Sequence, residues 1–406
     1  MRKVVVTGFG AISPVGSCKQ DIINNAVNGI SGIKKIDSFE TDDIYVHLAG
    51  KAAGFDPSDY FTSRQIKNSS RCILMARVAA SQAFEDSGLN KEQIDQERFG
   101  VIFSSAIGGI ECIEKSSVQV HSAGGRIGPF FVPSVLTDMP AGHIAVDLGA
   151  KGSCLCIASA CASGGDAIGN AYKMIRNGEA DIMAAGGAEA AITPLTLAGF
   201  SAMRVLYEGE NASEASIPFD KRRSGFVMGE GSCCLILESE AHALARNARI
   251  YGRICGYGST CDANHIVAPS SSGIYRAMKL ALEDADISPS HIGYINAHGT
   301  STEANDIAEA EGFRMLFGDK IPPVSSLKSL TGHLLGAAGA LEAGVTLLSL
   351  CEGKLPVQNW GTYDENCGII PVHAPCDVSV QFALSTSLGF GGHNAALVIE
   401  RYKKES

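Results

Sequence analysis

Tryptophan, aromatic side chains and charge are all scarce in this chain of 406 residues. Aromatic residues make up 7% of it, charged residues 19%, and it has a single Trp. Hydrophobic residues reach 45%, and there are 46 glycines. This composition excludes a disordered or fibrous protein and predicts a well-buried core with many tight turns. The length suits one large domain or two of medium size.

No long hydrophobic run is apparent in the sequence either. The apolar run in the N-terminal stretch MRKVVVTGFGAISPVG is too short for a signal peptide. No window reaches the roughly 18 apolar residues that a membrane-spanning helix needs. We therefore expect a soluble, cytoplasmic protein without a membrane partner.

The chain has 13 cysteines but no CxxC pair. Zinc sites in proteins usually draw their thiolates from such pairs, so we expect no bound metal. In the cytoplasm these cysteines are reduced thiols. Six of them stand in apolar runs and are expected to be small buried side chains: Cys72, Cys154, Cys156, Cys233, Cys234 and Cys255.

Negative charge predominates, with a formal net charge of −10. A nucleic-acid partner is therefore not expected, because phosphate binding requires a basic face. An acidic partner can still dock on a local basic patch. Two candidate patches are Arg64, Lys67 and Arg71, and residues 221–223. The alternative is that these are ordinary solvated surface charges.

Short apolar runs typical of buried strands alternate with amphipathic segments along the whole chain. This alternation predicts an α/β protein with mixed sheets. A strand–helix set restarts near residue 245, although the letters reveal no internal repeat. The stretch TGFGAISPVG lacks the third glycine of a dinucleotide-binding fingerprint, because Ser13 stands there. Its glycines are expected to form a tight turn from strand to helix.

Cys161 differs from the other cysteines in its surroundings. It lies in SACASGG, between a predicted strand and a helix predicted over residues 164–177. The amide hydrogens and the dipole at a helix N-terminus favour the thiolate, which is the reactive form. The small neighbours leave room for a substrate to approach the sulfur. A nucleophilic role is predicted, and a buried structural thiol is the alternative.

Two histidines stand in polar, glycine-rich loops and are candidate partners for a nucleophile. His298 lies in NAHGTSTEAND and His333 in SSLKSLTGHLLGAAG. Lys328, five residues before His333, stands in a stretch that is unusually apolar for a surface lysine. The turn GFGGHN at 389–394 offers backbone amides for an oxyanion.

The four stretches SACASGG, NAHGTST, KSLTGHLLGAAG and GFGGHN resemble the signatures of the elongating β-ketoacyl-[acyl-carrier-protein] synthases (types I and II, and type II in particular). PFFVPS, FDKRRSGFVMGEG and TGFGAISPVG are similar too, so the resemblance covers essentially the whole chain in family order. It implies the thiolase-like fold, a duplicated five-layered α-β-α-β-α core. The nucleophile would belong to an N-terminal half (1–245) and the histidines and lysine to a C-terminal half (246–406).

The resemblance also implies site residues. The catalytic set comprises the nucleophile Cys161, the histidines His298 and His333, the lysine Lys328 and the gating residue Phe390. The substrate-binding set comprises Thr300 and Thr302 for the pantetheine arm, Ile107, Phe200 and Phe131 for the acyl chain, and the acidic positions Asp306 and Glu309. The carrier-docking set comprises Arg64, Lys67 and Arg204.

The implied reaction is a decarboxylative Claisen condensation. An acyl group on Cys161 would react with malonyl-[acyl-carrier protein], giving a 3-oxoacyl product two carbons longer and carbon dioxide, in fatty acid or polyketide synthesis. No cofactor is expected beyond the 4'-phosphopantetheine that the carrier protein bears. The expected partners are acyl carrier protein and a second copy of this chain, with a heterodimer left open.

Several positions depart from the usual family pattern. Ser159 replaces a common Thr, Glu303 a Pro, and His393 a Thr, and residues 386–388 read Thr-Ser-Leu in place of Asn-Ser-Phe. These changes leave the substrate preference open. Two alternatives to an elongating enzyme also remain: a non-catalytic partner of the chain-length-factor kind, which typically lacks the nucleophile, and a thiolase or priming synthase with a Cys-His-Asn set.

Overall fold

The structure is a computed structural model that describes residues 1–41, 43–122 and 124–403. Within these residues a ten-stranded sheet and a two-stranded sheet form. The strands are β1 (Val4–Ile12), β2 (Lys34–Lys35), β3 (Leu48–Ala49), β4 (Phe99–Ser104), β5 (Cys154–Leu155), β6 (Ile182–Glu189), β7 (Gly231–Ser239), β8 (Gly252–Cys261), β9 (Ile292–Asn296), β10 (Val324–Ser325), β11 (Phe382–Gly389) and β12 (His393–Arg401).

Helices connect and cover the strands. They are α1 (Lys19–Val27), α2 (Ser63–Lys67), α3 (Arg71–Ser87), α4 (Ile110–Ser122), α5 (Phe131–Val135), α6 (Met139–Leu148), α7 (Ser163–Arg176), α8 (Pro194–Ala202), α9 (Glu240–Ala245), α10 (Ser271–Ala285), α11 (Glu303–Phe317), α12 (Lys328–Thr331) and α13 (Ala338–Glu352).

The large sheet consists of two halves with the same topology. The strand order is β5-β4-β6-β7-β1 in the first half and β10-β9-β11-β12-β8 in the second. Counted along the chain, corresponding strands occupy corresponding places, and their parallel and antiparallel pairings agree. The halves meet where β1 pairs with β8, at Val5 with Arg253 and Val6 with Gly252. The expected duplication is therefore present in the topology.

The helices arrange these halves into layers. α7 and α13 contact each other and strands of both halves, so they lie between the two. α3 and α6 cover the outer face of the first half, and α10 and α11 lie on the outer side of the second. The expected five-layered α-β-α-β-α core is confirmed. The predicted division after residue 245 lies in the segment between α9 and β8.

Of the three glycines in TGFGAISPVG, only Gly16 lies in the expected turn from strand to helix, where it exchanges backbone hydrogen bonds of 2.9 and 3.2 Å with Ser13. Gly8 and Gly10 both lie inside β1. A Cβ atom on Gly8 would come within 2.1 Å of the carbonyl oxygen of Ala83, and one on Gly10 within 2.1 Å of that of Ala79. These two glycines therefore let α3 pack directly on the strand, and the prediction of a turn was wrong for them but is confirmed for Gly16.

One helical segment is long and apolar enough to span a membrane, so the prediction that no such segment exists was wrong. Among the described residues this holds for the helical stretch Leu335–Glu352, of which 89% is buried. It includes α13, one of the two helices between the sheet halves. Because the helix is enclosed by strands on both sides, its hydrophobicity serves the protein core.

Candidate active site

Cys161 lies at a strained elbow between β5 and α7. It is the middle residue of a 3₁₀ turn, Ala160–Ala162, and α7 begins two residues later. Ala160 has a φ of 51°, a left-handed conformation that costs a non-glycine residue about 1–3 kcal/mol. Such strain persists only where the surrounding structure enforces it, and it marks this turn as a functional position.

Hydrogen bonds and close packing hold the elbow in place. The amide of Ser159 donates to Oγ of Ser163 over 2.9 Å, and that hydroxyl donates to the carbonyl of Ala160 over 2.6 Å. From the other side, Gly389 packs so closely that a Cβ there would lie 2.5 Å from the carbonyl oxygen of Ser159 and 3.1 Å from the amide nitrogen of Cys161. The glycine turn at 389–392 thus sits directly against the backbone of the thiol.

His298 and His333 come together beside this thiol. His298 follows the carboxyl end of β9, and the backbone of His333 is held against residues 227–229 by hydrogen bonds of 2.7 and 2.9 Å. Their ring centroids are 5.2 Å apart, with an interplanar angle of 84°. Cys161 and both histidines line one pocket of about 240 Å³. The three side chains that the sequence singled out therefore share a site.

Both imidazoles are neutral at physiological pH. Burial lowers the pKa of His298 well below its usual value, and the charge of Lys328 and the neighbouring His333 lower it further. Burial and Lys328 do the same to the pKa of His333. Nδ1 of His333 accepts a hydrogen bond from the amide of Leu335 over 3.3 Å, so its ring proton resides on Nε2. A neutral ring in this tautomer is a hydrogen-bond donor.

The lysine is buried with a carboxylate that the sequence reasoning did not identify. Nζ of Lys328 forms an ion pair with Glu342, and these side chains are only 1% and 2% exposed. The pair places a fixed positive charge behind the two histidines, where it disfavours their protonation. An unusual carboxylate within the apolar run GALEAGVTLL was the available signal for Glu342.

The thiol itself is not ionised in this environment. Burial raises the pKa of Cys161 to about 12, although the charge of Lys328 and a backbone amide oppose the shift. The expected shift of Cys161 toward the thiolate at the helix N-terminus is not found, because desolvation outweighs the favourable charges. A nucleophilic role for this sulfur would therefore require that the thiol lose its proton as it reacts.

Glu309 supports the loop of His298 from behind. Its carboxylate accepts hydrogen bonds from the amides of His298 and Gly299, both over 2.8 Å, and from the hydroxyl of Thr386 over 2.7 Å. Burial raises its pKa to about 7 against the effect of these donors. Glu309 thus lies behind the pocket wall instead of lining it.

Asp306 is placed in the same way. It is fully buried, accepts a hydrogen bond from the amide of Phe219 over 2.9 Å, and lies 3.4 Å from Nε of Arg223. Burial raises its pKa, and Arg223 opposes that shift. Asp306 therefore anchors the segment beneath the loop of Thr300, and its carboxylate faces protein groups.

Aromatic rings and hydroxyls form most of the remaining wall. The ring centroids of Phe200 and Phe390 are 6.3 Å apart. The ring of Phe226 contacts both Phe200 and His333, with centroid distances of 5.5 and 5.3 Å. On another side the hydroxyls of Thr300 and Thr302 lie 2.8 Å apart. All six residues in these contacts line the pocket, and Phe226 was not identified from the sequence.

Ile107 belongs to the same apolar cluster as Cys161 and Phe200. Its amide donates to Glu189 over 3.2 Å, and that fully buried carboxylate also accepts from Gly336 over 3.0 Å. Glu189, also missed, therefore ties the loop of Ile107 to the turn that follows His333. Ile107 itself is not among the residues that line the pocket, although it packs in the same apolar cluster as the thiol.

The remaining predicted residues lie outside the pocket lining. Phe131 begins α5 and is partly exposed, between the exposed Phe130 and Val132. Arg64 and Lys67 are exposed on α2. Arg204 is exposed too, directly before the pocket residue Val205. The described residues hold no group of three or more His, Cys, Asp or Glu side chains suited to a metal ion.

The family models that match the chain are those of β-ketoacyl synthases. The N-terminal domain model covers residues 1–243 and the C-terminal domain model residues 251–359. The chain belongs to the β-ketoacyl synthase family. It is an enzyme of the elongating, type II-like group, and its reaction is the condensation that lengthens an acyl chain.

Individual relatives are similar in sequence to this chain over nearly its full length. The chain is 43% identical to "3-oxoacyl-[acyl-carrier-protein] synthase 2" of Staphylococcus aureus strain COL, over 99% of both chains. It is 41% identical to the Synechocystis protein of the same name, again over 99% of both chains. Among solved structures, "The ishigamide ketosynthase/chain length factor" matches with a TM-score of 0.93 and 32% identity, covering 99% of this chain and 100% of that one. A β-ketoacyl synthase from Burkholderia phymatum STM815 matches with a TM-score of 0.91 and 32% identity, covering 99% of this chain and 100% of that one.

Proposed function

We propose that Cys161 is the acyl-accepting nucleophile of this synthase. Its sulfur attacks the carbonyl carbon of an acyl thioester on acyl carrier protein. The bond to the carrier sulfur breaks, and the thiol proton ends on the released carrier thiol. The observation that carries this proposal is the shared pocket of a strained cysteine and two neutral histidines.

Backbone amides are the natural oxyanion donors for this step. We assign that role to the amides of Cys161 and Phe390, because the turn after Gly389 packs directly against the elbow. Donors fixed before the reaction stabilise a developing oxyanion without reorganisation, at about 3 kcal/mol each. The negative charge of the tetrahedral intermediate is thereby held as the thiol proton leaves.

His298 and His333 then act on the malonyl thioester. As neutral donors they bind its carbonyl oxygen and stabilise the enolate that forms when carbon dioxide departs. The enolate carbon attacks the acyl group on Cys161, the carbon–sulfur bond breaks, and the thiol recovers a proton from solvent. The product is a 3-oxoacyl thioester two carbons longer. Lys328 organises the charge of the site and is not its base.

The pocket also suggests how the substrates are held. Thr300 and Thr302 would hydrogen-bond the pantetheine arm of the carrier, since their hydroxyls line the pocket side by side. The acyl chain would extend past Ile107 and Phe200, with Phe390 as the gate. The proposed chemistry needs no cofactor of the enzyme's own.

The carrier protein would dock on the exposed basic residues Arg64, Lys67 and Arg204. A protein with a net charge of −10 can bind an acidic partner through such a patch, because complementary charge acts locally. In one related solved structure, a type II acyl-carrier protein is in complex with its ketosynthase. Charge reversal at Arg204 is expected to raise the KM for carrier-bound substrate and to leave turnover of pantetheine thioesters unchanged.

A homodimer is proposed for the assembly. β5 is the last strand in the sheet order, and exposed apolar side chains surround it on α5, α6 and the loop between them. The most exposed are Val132 (57%), Leu136 (45%), Val146 (82%) and Leu155 (50%). Such a face is typical of a subunit interface, and Phe131 lies within it. Light scattering of the wild type and of Val146→Asp would report a dimer and a monomer, respectively; a monomeric wild type would contradict the proposal or point to a heterodimer.

The decisive experiment is mass spectrometry of products from a panel of acyl carrier thioesters with malonyl carrier protein. The wild type should give 3-oxoacyl products two carbons longer. Cys161→Ala should give none, yet still release carbon dioxide from malonyl carrier protein, since the histidines remain. Elongation by Cys161→Ala would refute the assignment, and activity with acetyl-CoA alone would favour a thiolase.

A chain-length-factor-like partner subunit is the second candidate, because one related structure bears that description. The presence of Cys161 with both histidines favours the enzyme. The panel would also separate fatty acid from polyketide substrates. The cytoplasmic location stays a prediction, and burial of the apolar helix in the core is compatible with it.

A further inference from the structure

A buried polar network lies beside the Cys161 elbow and outside the pocket lining. Asp166, in the first turn of α7, accepts hydrogen bonds from two hydroxyls: Oγ of Ser159 at 2.5 Å and the phenol of Tyr257 at 2.6 Å. The three residues are only 5–6% exposed. None of them lines the pocket or is used by the chemistry proposed above.

We propose that Asp166 and Tyr257 are positioning residues that hold the nucleophile elbow in its strained shape. Ser159 directly precedes Ala160, the residue in the left-handed conformation, and its carbonyl accepts the amide of Ala162 over 3.1 Å. The bond to Asp166 therefore fixes one end of the 3₁₀ turn against the helix that follows it. Without that anchor, relaxation of Ala160 would move the sulfur.

Tyr257 connects this anchor to the other half of the molecule. It belongs to β8, whereas Asp166 belongs to α7, a helix of the first half. Its ring packs so closely on the helix that a Cβ on Gly169 would lie 2.3 Å from Cδ2 of the ring, and Nζ of Lys173 lies 4.6 Å above it. Because the ring is fixed, its hydroxyl holds the Asp166 carboxylate in place.

The remaining bonds of the network are satisfied. Asn170 donates to the carbonyl of Asp166 over 2.8 Å and to the phenol oxygen of Tyr257 over 3.3 Å. A buried network of this kind rigidifies what it contacts when each member has a partner. Removing one hydroxyl leaves Asp166 with an unmet acceptor, so the loss is expected to extend to the elbow.

The inference rests on the proposed function, in which Cys161 is acylated, and makes a prediction for each half-reaction. Acylation of Cys161 depends on the elbow, whereas decarboxylation of malonyl carrier protein depends on His298 and His333. Ser159→Ala, Asp166→Ala and Tyr257→Phe should therefore slow single-turnover acylation while decarboxylation stays near the wild-type rate. We expect losses of about 10- to 100-fold for the first two, the scale of a misplacement of about 1 Å.

The controls separate positioning from general destabilisation. Ser159→Thr keeps the hydroxyl and should restore acylation. Asp284→Asn is a matched carboxylate control, because Asp284 accepts from the backbone amide of Tyr257 over 3.0 Å and not from its phenol; it should leave acylation unchanged. Ser159→Ala and Asp166→Ala combined should cost no more than Asp166→Ala alone, because Asp166→Ala already removes the bond to Ser159.

Three outcomes would overturn the inference: wild-type acylation in all three variants, parallel loss of decarboxylation and acylation, or failure of Ser159→Thr to restore acylation. Tyr257→Phe keeps the ring and serves as the test if Asp166→Ala does not fold. Elongation by Cys161→Ala would instead refute the proposed function, so the two failures are distinguishable.

Discussion

The ring of His298 stands edge-on to the ring of His333, with centroids 5.2 Å apart. Both are buried beside the positive charge of Lys328, and the pKa of each is lowered. Two neutral donors therefore converge on one region of the pocket. This arrangement suits the stabilisation of an enolate oxygen better than proton abstraction, because a histidine with a lowered pKa is a weak base.

The first prediction concerns loss of one donor. His298→Ala is expected to lower the rate of malonyl decarboxylation by about 10²–10³, the typical effect of removing one oxyanion donor. Release of carbon dioxide from malonyl carrier protein measures it. His242→Ala, in a partly exposed histidine on α9, is the control. A rate near that of the wild type in His298→Ala would show that this imidazole does not bind the enolate.

The second prediction concerns pH. The pKa of Glu309 is raised to about 7, chiefly by burial. Above that pH the carboxylate accepts from the amides of His298 and Gly299, whereas protonation below it weakens those bonds. Decarboxylation should therefore rise with pH through about 7. Glu309→Gln should remove this dependence, since an amide does not titrate there; a profile unchanged by the substitution would assign the transition to another group.

The third prediction concerns Lys328. Lys328→Met removes a charge that lowers the pKa of both histidines, so those pKa values should rise. In the Glu309→Gln background, where the transition near pH 7 is absent, Lys328→Met should therefore cause decarboxylation to be lost at a higher pH than in Glu309→Gln alone. It also leaves Glu342 buried without its partner, at a cost of about 3–5 kcal/mol in unfolding free energy. pH–rate profiles and denaturant titrations measure these effects. Glu342→Gln keeps the lysine charge and should not shift the profile upward; a shift in the same direction would contradict the assignment.

Individual helices could be predicted from the sequence, but the duplicated topology of the two halves could not be predicted from local patterns. The helix predicted over 164–177 is α7, Ser163–Arg176, because its apolar period and small first turn are local signals. The duplication could not be detected in the sequence, because the two halves share strand order and pairing sense but no recognisable sequence repeat. Topology does not require similar side chains, so only the family resemblance predicted it.

Burial was the property that the sequence predicted least well. Cys154 stands in an apolar run and was expected in the core, yet it is exposed because β5 lies at the sheet edge. Conversely, the thiol of Cys161 was expected to ionise at a helix N-terminus, but desolvation raises its pKa. Both errors arise from tertiary surroundings that no local pattern encodes. The three residues Cys161, His298 and His333, by contrast, were candidates from their local context, and the family resemblance implied that they share one site.

The last prediction concerns Gly389, whose missing side chain lets the glycine turn approach the nucleophile elbow. In Gly389→Ala the new Cβ would lie 2.5 Å from the carbonyl oxygen of Ser159, which is backbone and has little freedom to move. We expect acylation of Cys161 to fall by about 100-fold, because the sulfur and the amides proposed as oxyanion donors would be displaced together.

Gly142→Ala in α6 is the matched control, since a Cβ there meets nothing within 4 Å. It should leave acylation intact and stabilise the protein by about 0.5–1 kcal/mol, because alanine loses less backbone entropy in a helix. Single-turnover acylation and thermal unfolding of both variants measure these effects. Normal acylation by Gly389→Ala would mean that the turn can withdraw from the elbow without cost, and the assignment of the Phe390 amide to the oxyanion would then be wrong.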